Sequence, residues 1–205
     1  MKLILVDPMP ELCTAWTEHF SRLPNVEIVN GRFEDLPEFD CIVSPANSFG
    51  LMDGGVDATI IRFFGEQLMR RVQEYILREY AGEQPVGTSF ITPTGHVKHP
   101  YLAHTPTMRV PMPIAGTDAV YRAMWAMLLT VKQYNAQQQQ DVVQTVACPG
   151  LGTLTGRVPP HEAARLMAAA YLNFLDPPDR ISWEYAIVRQ RRVAGDLWPT
   201  TFNCA

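Results

Sequence analysis

Short apolar runs alternate with helix-like segments along most of the chain, and this alternation restricts the fold more than any other feature. A short apolar run closed by Asp, Pro or Gly is typical of a buried strand, whereas apolar residues at steps of three or four indicate a helix. The predicted strands are residues 2–6, 26–29, 40–43, 87–92, 101–104, 142–147 and 181–188, and the predicted helices are 11–22, 57–80, 118–137 and one that begins near Pro159 and Pro160. This alternation predicts an α/β fold in three layers, α/β/α, with a mixed, mainly parallel central sheet.

The length and the apolar content of the chain suit one large α/β domain. Of its 205 residues, 47% are hydrophobic, which is enough for a continuous core, and no linker or internal repeat interrupts the pattern. We therefore predict a single domain over residues 1–205. Its motifs fall in residues 26–175, and residues 181–205 supply a last strand and a tail.

Charge and composition argue against several classes of function. Seventeen basic and 21 acidic residues give a net charge of −4, which is unfavourable for general binding to nucleic acid or to an anionic membrane. The first ten residues lack the pattern of a signal peptide, and no apolar run approaches the ~20 residues that cross a bilayer. The four cysteines are scattered, and no histidines stand at zinc spacing. We expect a cytoplasmic protein without membrane association, metal or cofactor, and the sequence indicates no oligomeric state.

Residues 44–60 combine a polar residue just after a predicted strand with two glycines at the start of a predicted helix. Backbone N–H groups exposed by Gly54 and Gly55 at a helix N-terminus form an anion site. The amide of Asn47 offers two donors and one acceptor, which suits the vicinal hydroxyls of a ribose. Asp57 falls in the first helical turn, where it either caps the helix or faces a ligand.

A second glycine-rich loop, residues 148–156, follows another predicted strand. Ligands of open α/β sheets bind beyond the carboxyl ends of the strands, so the two loops are expected to meet at one site. Gly150, Gly152, Thr153 and Gly156 would offer backbone N–H groups to a diphosphate, and Thr153 or Thr155 could add a hydroxyl. The alternative is a tight strand-to-helix turn without a ligand.

Four segments resemble, in the same order, the motifs of the macro domain family: SPANSFGLMDGGVDATI, TPTG, YLAHTPTMRVP and CPGLGTLTGRVPP. The resemblance implies the macro-domain fold and, as partner, ADP-ribose or an ADP-ribosylated macromolecule. It implies that Asn47 holds the distal ribose and that Asp57, together with Asn47, forms the catalytic pair. The ligand contacts that it implies are Phe33, Ser44, Ala46, Asn47, Gly54, Gly55, Val56, Gly150, Leu151, Gly152, Thr153, Leu154, Thr155 and Gly156.

Three positions depart from the family pattern. Ser44 stands where the family often has Asn, and Ile61 stands where active members frequently carry His. The usual Gly-Asp-Ile, whose Asp reads the adenine amino group, is here Gly31, Arg32 and Phe33. Adenine would then be held by stacking on Phe33, by Asp7, or less selectively.

Two functions remain open at this stage. One is hydrolysis of an ADP-ribosyl adduct, with Asp57 positioning a water molecule for attack on the distal ribose. The other is a non-catalytic reader or sensor of ADP-ribose or a related nucleotide, which Ser44 and Ile61 favour. A Rossmann site is disfavoured because the glycines of the second loop lack the GxGxxG spacing.

Overall fold

The computed structural model describes residues 1–195. Within this range the chain forms six strands and six helices. They are β1 (Lys2–Asp7), α1 (Pro10–Phe20), β2 (Val26–Asn30), β3 (Cys41–Ser44), α2 (Gly55–Phe64), α3 (Gln67–Tyr80), β4 (Phe90–Pro93), β5 (Tyr101–His104), α4 (Ala119–Gln138), β6 (Thr145–Cys148), α5 (Pro160–Leu175) and α6 (Trp183–Ala194), with a short 3-10 turn at Phe33–Asp35.

All six strands belong to one sheet with the order β2-β1-β6-β3-β5-β4. β1, β2, β3, β5 and β6 run parallel, and β4 pairs with β5 in the antiparallel direction. The central strand β3 is buried along its whole length, as expected of a strand covered on both faces. The prediction of a mixed, mainly parallel sheet is confirmed.

Helices cover both faces of the sheet and bury two separate apolar clusters. On one face α1, α4 and α5 pack around residues such as Trp16 and Tyr171. On the other face α2 and α3 pack around a smaller cluster that includes Ile60. Successive strand residues contribute to opposite faces: Cys41 and Val43 join the first cluster, whereas Ile42 joins the second. The three-layer prediction is confirmed.

The predicted helix over residues 57–80 is two helices in the structure. Gly65 ends α2 with φ +92°, a conformation that favours glycine, and its N–H group donates to the Ile61 carbonyl. The four-residue apolar period continues across this break because α2 and α3 both pack on the same face of the sheet. Periodicity alone therefore could not reveal the break.

The predicted strand over residues 181–188 is wrong, because this segment enters helix α6. The Ser182 hydroxyl caps the helix by accepting the Tyr185 N–H group, and the apolar residues that suggested a strand, Ile181 and Trp183, are 86% and 85% exposed. α6 packs against α5, where the Arg165 guanidinium donates to the Arg192 carbonyl, and its Arg189 guanidinium lies 4.4 Å from the centre of the Trp125 ring on α4. Residues 196–205, including the tail residues Trp198 and Phe202, lie outside the described part of the chain.

The carboxyl ends of β1, β3 and β6 lie side by side in the middle of the sheet. The loops that follow these strands are therefore brought to the same edge, although they are far apart in sequence. In residues 1–195, no helix has the length and apolar character needed to cross a membrane.

Candidate functional site

A cleft lies at the carboxyl ends of the central strands. It holds about 690 Å³ of space, the open solvent at its mouth included. Its walls come from the loop before α2, the first turn of α2, the loop after β5 and the loop after β6. The lining residues are Asp7, Pro45, Ala46, Asn47, Leu51, Asp53, Gly54, Gly55, Val56, Asp57, Thr107, Met108, Pro111, Pro149, Gly150, Gly152, Thr153, Leu154, Thr155 and Gly156.

The N-terminus of α2 opens directly into this cleft. The first intrahelical hydrogen bond runs from the Ala58 N–H group to the Gly54 carbonyl, so the N–H groups of Gly55, Val56 and Asp57 have no acceptor within the helix. A Cβ atom added at Gly54 or Gly55 would meet nothing within 4 Å. The glycines thus leave room for a ligand beside free N–H groups, which is the arrangement that binds anions.

Asn47 lines the cleft, but most of its hydrogen-bonding capacity is used within its own loop. Its Nδ2 atom donates to the Leu51 carbonyl at 2.7 Å, and its Oδ1 atom accepts the N–H groups of Phe49 and Leu51. One amide N–H remains for a ligand, instead of the full set of donors and acceptor anticipated from the sequence. Asn47 therefore shapes the loop as well as lining the site.

Asp57 is 7% exposed and lies at the third position of α2. Its Oδ1 atom accepts a 2.7 Å hydrogen bond from the hydroxyl of Ser44, which is fully buried at the end of β3. Burial raises the pKa of Asp57 to about 7, the Ser44 hydrogen bond lowers it, and the Asp53 carboxylate raises it. Asp57 is thus bound to a side chain and does not cap the helix, and Ser44 does not line the cleft as the ligand contact suggested by the sequence.

The second loop contributes fewer free N–H groups than its glycines suggest. The Gly150 N–H group donates to Oδ2 of Asp7 at 3.1 Å, so it is already engaged. Leu151 is fully buried in the core and is absent from the cleft wall. Leu154, by contrast, is 62% exposed and lines the cleft together with Thr153 and Thr155.

Two of the loop glycines are required by close packing. A Cβ atom at Gly156 would lie 2.5 Å from the Gly152 carbonyl oxygen, and one at Gly150 would lie 2.5 Å from the Leu12 side chain. The Gly156 carbonyl also accepts the Ile114 N–H group. The loop is therefore both a tight turn and a cleft wall.

A second cavity adjoins the first and shares Asp7, Gly55, Val56, Pro149 and Leu154 with it. Phe33 contributes to its wall but is only 4% exposed, and two other rings, Phe39 and Phe63, pack against it edge to face. Arg32 and Glu34, paired with each other, form the polar rim of this cavity. The mostly apolar space could accommodate a heterocyclic base beside the first cleft.

Two parts of the cleft wall were not assigned from the sequence: Asp7, which was considered only as one possible contact for adenine, and the loop after β5. Asp7 links the loop after β1 to the second glycine-rich loop, because its carboxylate accepts the N–H groups of Met9 and Gly150. The loop after β5 contributes Thr107, Met108 and Pro111 to the wall. Its motif was recognised in the sequence, but no residue was chosen from it. The position of this loop after a parallel strand could have indicated that role.

The histidines and cysteines of the described residues form no metal site. His104 is fully buried, and its Nδ1 atom lies 2.6 Å from Oε1 of Gln84. Burial lowers the pKa of His104 to about 3, so its ring is neutral at physiological pH. Burial also raises the pKa of the Cys148 thiol far above its usual range, so Cys148 is unsuited to act as a nucleophile.

Comparison with known proteins gives a consistent result. The family model described as Macro domain matches residues 43–167, more than half of the chain. An uncharacterized protein of Aquifex aeolicus is 33% identical over 150 residues, which cover 73% of this chain and 82% of that protein. The macro domain-containing protein TTE0995 of Caldanaerobacter subterraneus subsp. tengcongensis is 27% identical over 155 residues, which cover 74% and 81%.

Solved structures with a similar fold are also macrodomains. The macrodomain of Mycobacterium tuberculosis DarG superimposes with a TM-score of 0.58 at 18% identity, over 73% of this chain and 95% of that chain. The Oceanobacillus iheyensis macrodomain with ADP has a TM-score of 0.57 at 23% identity, over 77% and 84%. A mutant of the latter has been solved with ADPR, at a TM-score of 0.58 and 22% identity over 80% and 89%.

Proposed function

The chain belongs to the macro domain family, and on this basis we propose that it binds ADP-ribose or an ADP-ribose derivative in the cleft between its two glycine-rich loops. The observation that carries the proposal is the glycine-opened N-terminus of α2, whose first residues line the cleft and whose first N–H groups have no acceptor within the helix. The macrodomain solved with ADP and its mutant solved with ADPR support the ligand class.

Backbone groups and the helix dipole would hold the diphosphate of such a ligand. Three acidic residues, Asp7, Asp53 and Asp57, line the cleft, and its lining contains no Lys or Arg. Attraction between full charges therefore cannot hold an anion here. The free N–H groups of α2 and those of Gly152 to Gly156, which have no acceptor within residues 1–195, are the donors for the diphosphate.

The two ends of the ligand would occupy different parts of the site. The distal ribose lies beside Asn47, whose remaining amide N–H group can donate to a ribose hydroxyl. The base occupies the adjoining cavity, where it contacts the exposed part of Phe33 and the rim formed by Arg32 and Glu34. The two cavities share a wall, so one extended nucleotide can span both.

We further propose that Asp57 makes the site a hydrolase for ADP-ribosyl adducts. A carboxyl group with a pKa of about 7 is close to ideal for proton transfer at neutral pH, and Asp57 both lines the cleft and is held by Ser44. Its role is to position and deprotonate a water molecule that attacks the anomeric carbon of the distal ribose. The alternative is a reader without catalysis, which is favoured by Ile61 in the place of the histidine found in active relatives.

The Asp57→Ala variant separates these proposals. Calorimetric titration with ADP-ribose measures binding, and release of ADP-ribose from an ADP-ribosylated protein measures turnover on the same sample. For a hydrolase, Asp57→Ala abolishes turnover but leaves the ADP-ribose affinity within about tenfold of the wild-type value. Unchanged turnover would rule out the role of Asp57, and binding by the wild type without product would identify a reader.

A further inference from the structure

The Ser44 hydroxyl and the Asp57 carboxyl form a buried pair directly behind the cleft. Ser44 ends β3, and its carbonyl accepts the Thr105 N–H group, which fixes the end of the strand. Its hydroxyl donates to Oδ1 of Asp57 at 2.7 Å. Because Ser44 is fully buried and does not line the cleft, it can affect a ligand only through Asp57.

This pairing makes the two oxygens of Asp57 different. Oδ1 is occupied by Ser44, whereas Oδ2 has no hydrogen-bond partner anywhere in residues 1–195. Asp57 itself lines the cleft. Oδ2 is therefore the oxygen left for a ligand.

The surroundings of Asp57 oppose a negative charge there. Two groups in the described structure act on its ionisation besides burial: the Ser44 hydroxyl from β3 and the Asp53 carboxylate from the loop before α2. α3, which also packs against α2, contributes no charged group. A diphosphate held at the N-terminus of α2 would add a further negative charge close by, which disfavours the ionised carboxylate.

From this geometry we propose that Ser44 is a positioning residue that keeps Oδ1 of Asp57 occupied, so that Oδ2 takes up a proton from solvent when free ADP-ribose binds. The proposal rests on the proposed function, since it assumes a diphosphate in the cleft, and it concerns the product complex: during hydrolysis the proton on Asp57 would come from the attacking water. In this binding step one proton moves from the buffer to Oδ2 of Asp57, and no other covalent bond changes. The resulting neutral acid can donate a hydrogen bond to the ligand where a carboxylate would repel it.

Two readouts test the proposal, and one of them needs no ligand. The first is the titration of the Asp57 carboxyl carbon, followed by NMR in the ligand-free protein. Ser44→Ala removes a hydrogen bond to the ionised form, so the titration midpoint should rise by about 1 to 2 pH units. Ser44→Thr keeps the hydroxyl and should restore the wild-type midpoint. An unchanged midpoint in Ser44→Ala would overturn the role of Ser44.

The second readout is proton uptake on binding. Titrations with ADP-ribose at pH 7, in bis-Tris and in Tris buffer, give the number of protons bound, because these buffers differ in ionisation enthalpy and neither is an anion that would compete for the cleft. We expect about half a proton per wild-type site, since about half of the Asp57 carboxyl groups are still ionised at that pH. Ser44→Ala should move the uptake to higher pH, and Asp57→Asn should abolish it.

The outcomes of this experiment are distinguishable. Binding with equal proton uptake in wild type and Asp57→Asn would overturn the assignment of the proton to Asp57 and leave ADP-ribose binding intact. A wild type that does not bind ADP-ribose would overturn the proposed function and the uptake together. The ligand-free titration would still decide whether Ser44 controls the Asp57 carboxyl.

Discussion

Asp57 opposes folding when it is ionised, and this has a consequence for stability. In the unfolded chain the carboxyl ionises near its ordinary value of 3.8, whereas in the folded protein its pKa is raised to about 7. Between these values the folded state holds one proton more than the unfolded state, so stability falls as the pH rises. The penalty is absent below the unfolded value and complete above the folded one.

The Asp57→Asn variant should therefore be more stable than the wild type at high pH. The amide keeps the shape of the side chain and can still accept the Ser44 hydrogen bond, but it cannot ionise. We expect equal free energies of unfolding near pH 3.5 and a gain of about 4 kcal/mol for the variant at pH 8, from the shift of about three pKa units. Urea unfolding at several pH values measures the difference, and a variant that is less stable than the wild type at pH 8 would contradict it.

His104 also changes the free energy of unfolding with pH, so the effect of Asp57 is read from the difference between the wild type and Asp57→Asn. Its pKa is lowered by burial from 6.5 to about 3, so the unfolded state binds the extra proton and stability is lost as the pH falls through this range. The effects of His104 and Asp57 on the wild-type stability curve thus have opposite slopes between about pH 4 and 6.5. Subtraction of the two stability curves removes the contribution of His104.

Single residues of the site were only partly predictable from the sequence. Gly54 and Gly55 could be assigned because glycines at a helix start have few other uses, and the structure places them at the open end of α2. The hydrogen-bond partner of Ser44 could not be predicted from the sequence, because a bond between residues 13 positions apart depends on how a strand and a helix pack. Leu151 could not be told from its neighbour Leu154, because burial within a loop leaves no periodic signal.

The two glycine-rich loops contain glycines of different kinds. Gly54 lies in extended backbone, and a Cβ atom there would face open space. Gly156 packs against the Gly152 carbonyl oxygen, where a Cβ atom would lie 2.5 Å away. The first glycine leaves room for a ligand, and the second allows two parts of the loop to touch.

The same substitution at these two positions should therefore have different effects on stability. Gly156→Ala is expected to lower the free energy of unfolding by about 1–3 kcal/mol, because backbone must move to admit the methyl group. Gly54→Ala is the matched control and should change it by no more than about 0.5 kcal/mol. Urea unfolding of both variants provides the measurement, and equal losses would show that the loop is not closely packed.

The helices and strands were predictable where their apolar pattern is unambiguous. Residues 101–104 were predicted as a strand, and β5 spans Tyr101–His104, because the run is short, buried and followed by a proline-rich loop. Residues 181–188 were wrongly predicted as a strand, since their alternating apolar side chains also suit a helix that rests on the surface. The contacts that α6 makes with other helices, such as that of Arg189 with Trp125 on α4, are absent from any local pattern.

At the scale of the whole molecule, the parallel sheet explains why a site exists at all. β1, β3 and β6 are neighbours in the sheet, so the loops after them converge although residues 7, 44 and 148 are distant in sequence. The rule that ligands bind at the carboxyl ends of such strands allowed the cleft to be predicted from element order. The shape of the second cavity beside it could not be predicted, because it depends on the packing of Phe33 against Phe39 and Phe63.

The central claim is that an ADP-ribose diphosphate lies against the N-terminus of α2, and calorimetric titration of wild type and Gly54→Val with ADP-ribose tests it most directly. The extended backbone at Gly54 accepts valine, and the added side chain enters the space assigned to the ligand. We predict binding by the wild type, a loss of affinity of about tenfold or more in Gly54→Val, and similar melting temperatures for the two proteins. The absence of wild-type binding, or an equal affinity in Gly54→Val, would contradict the claim.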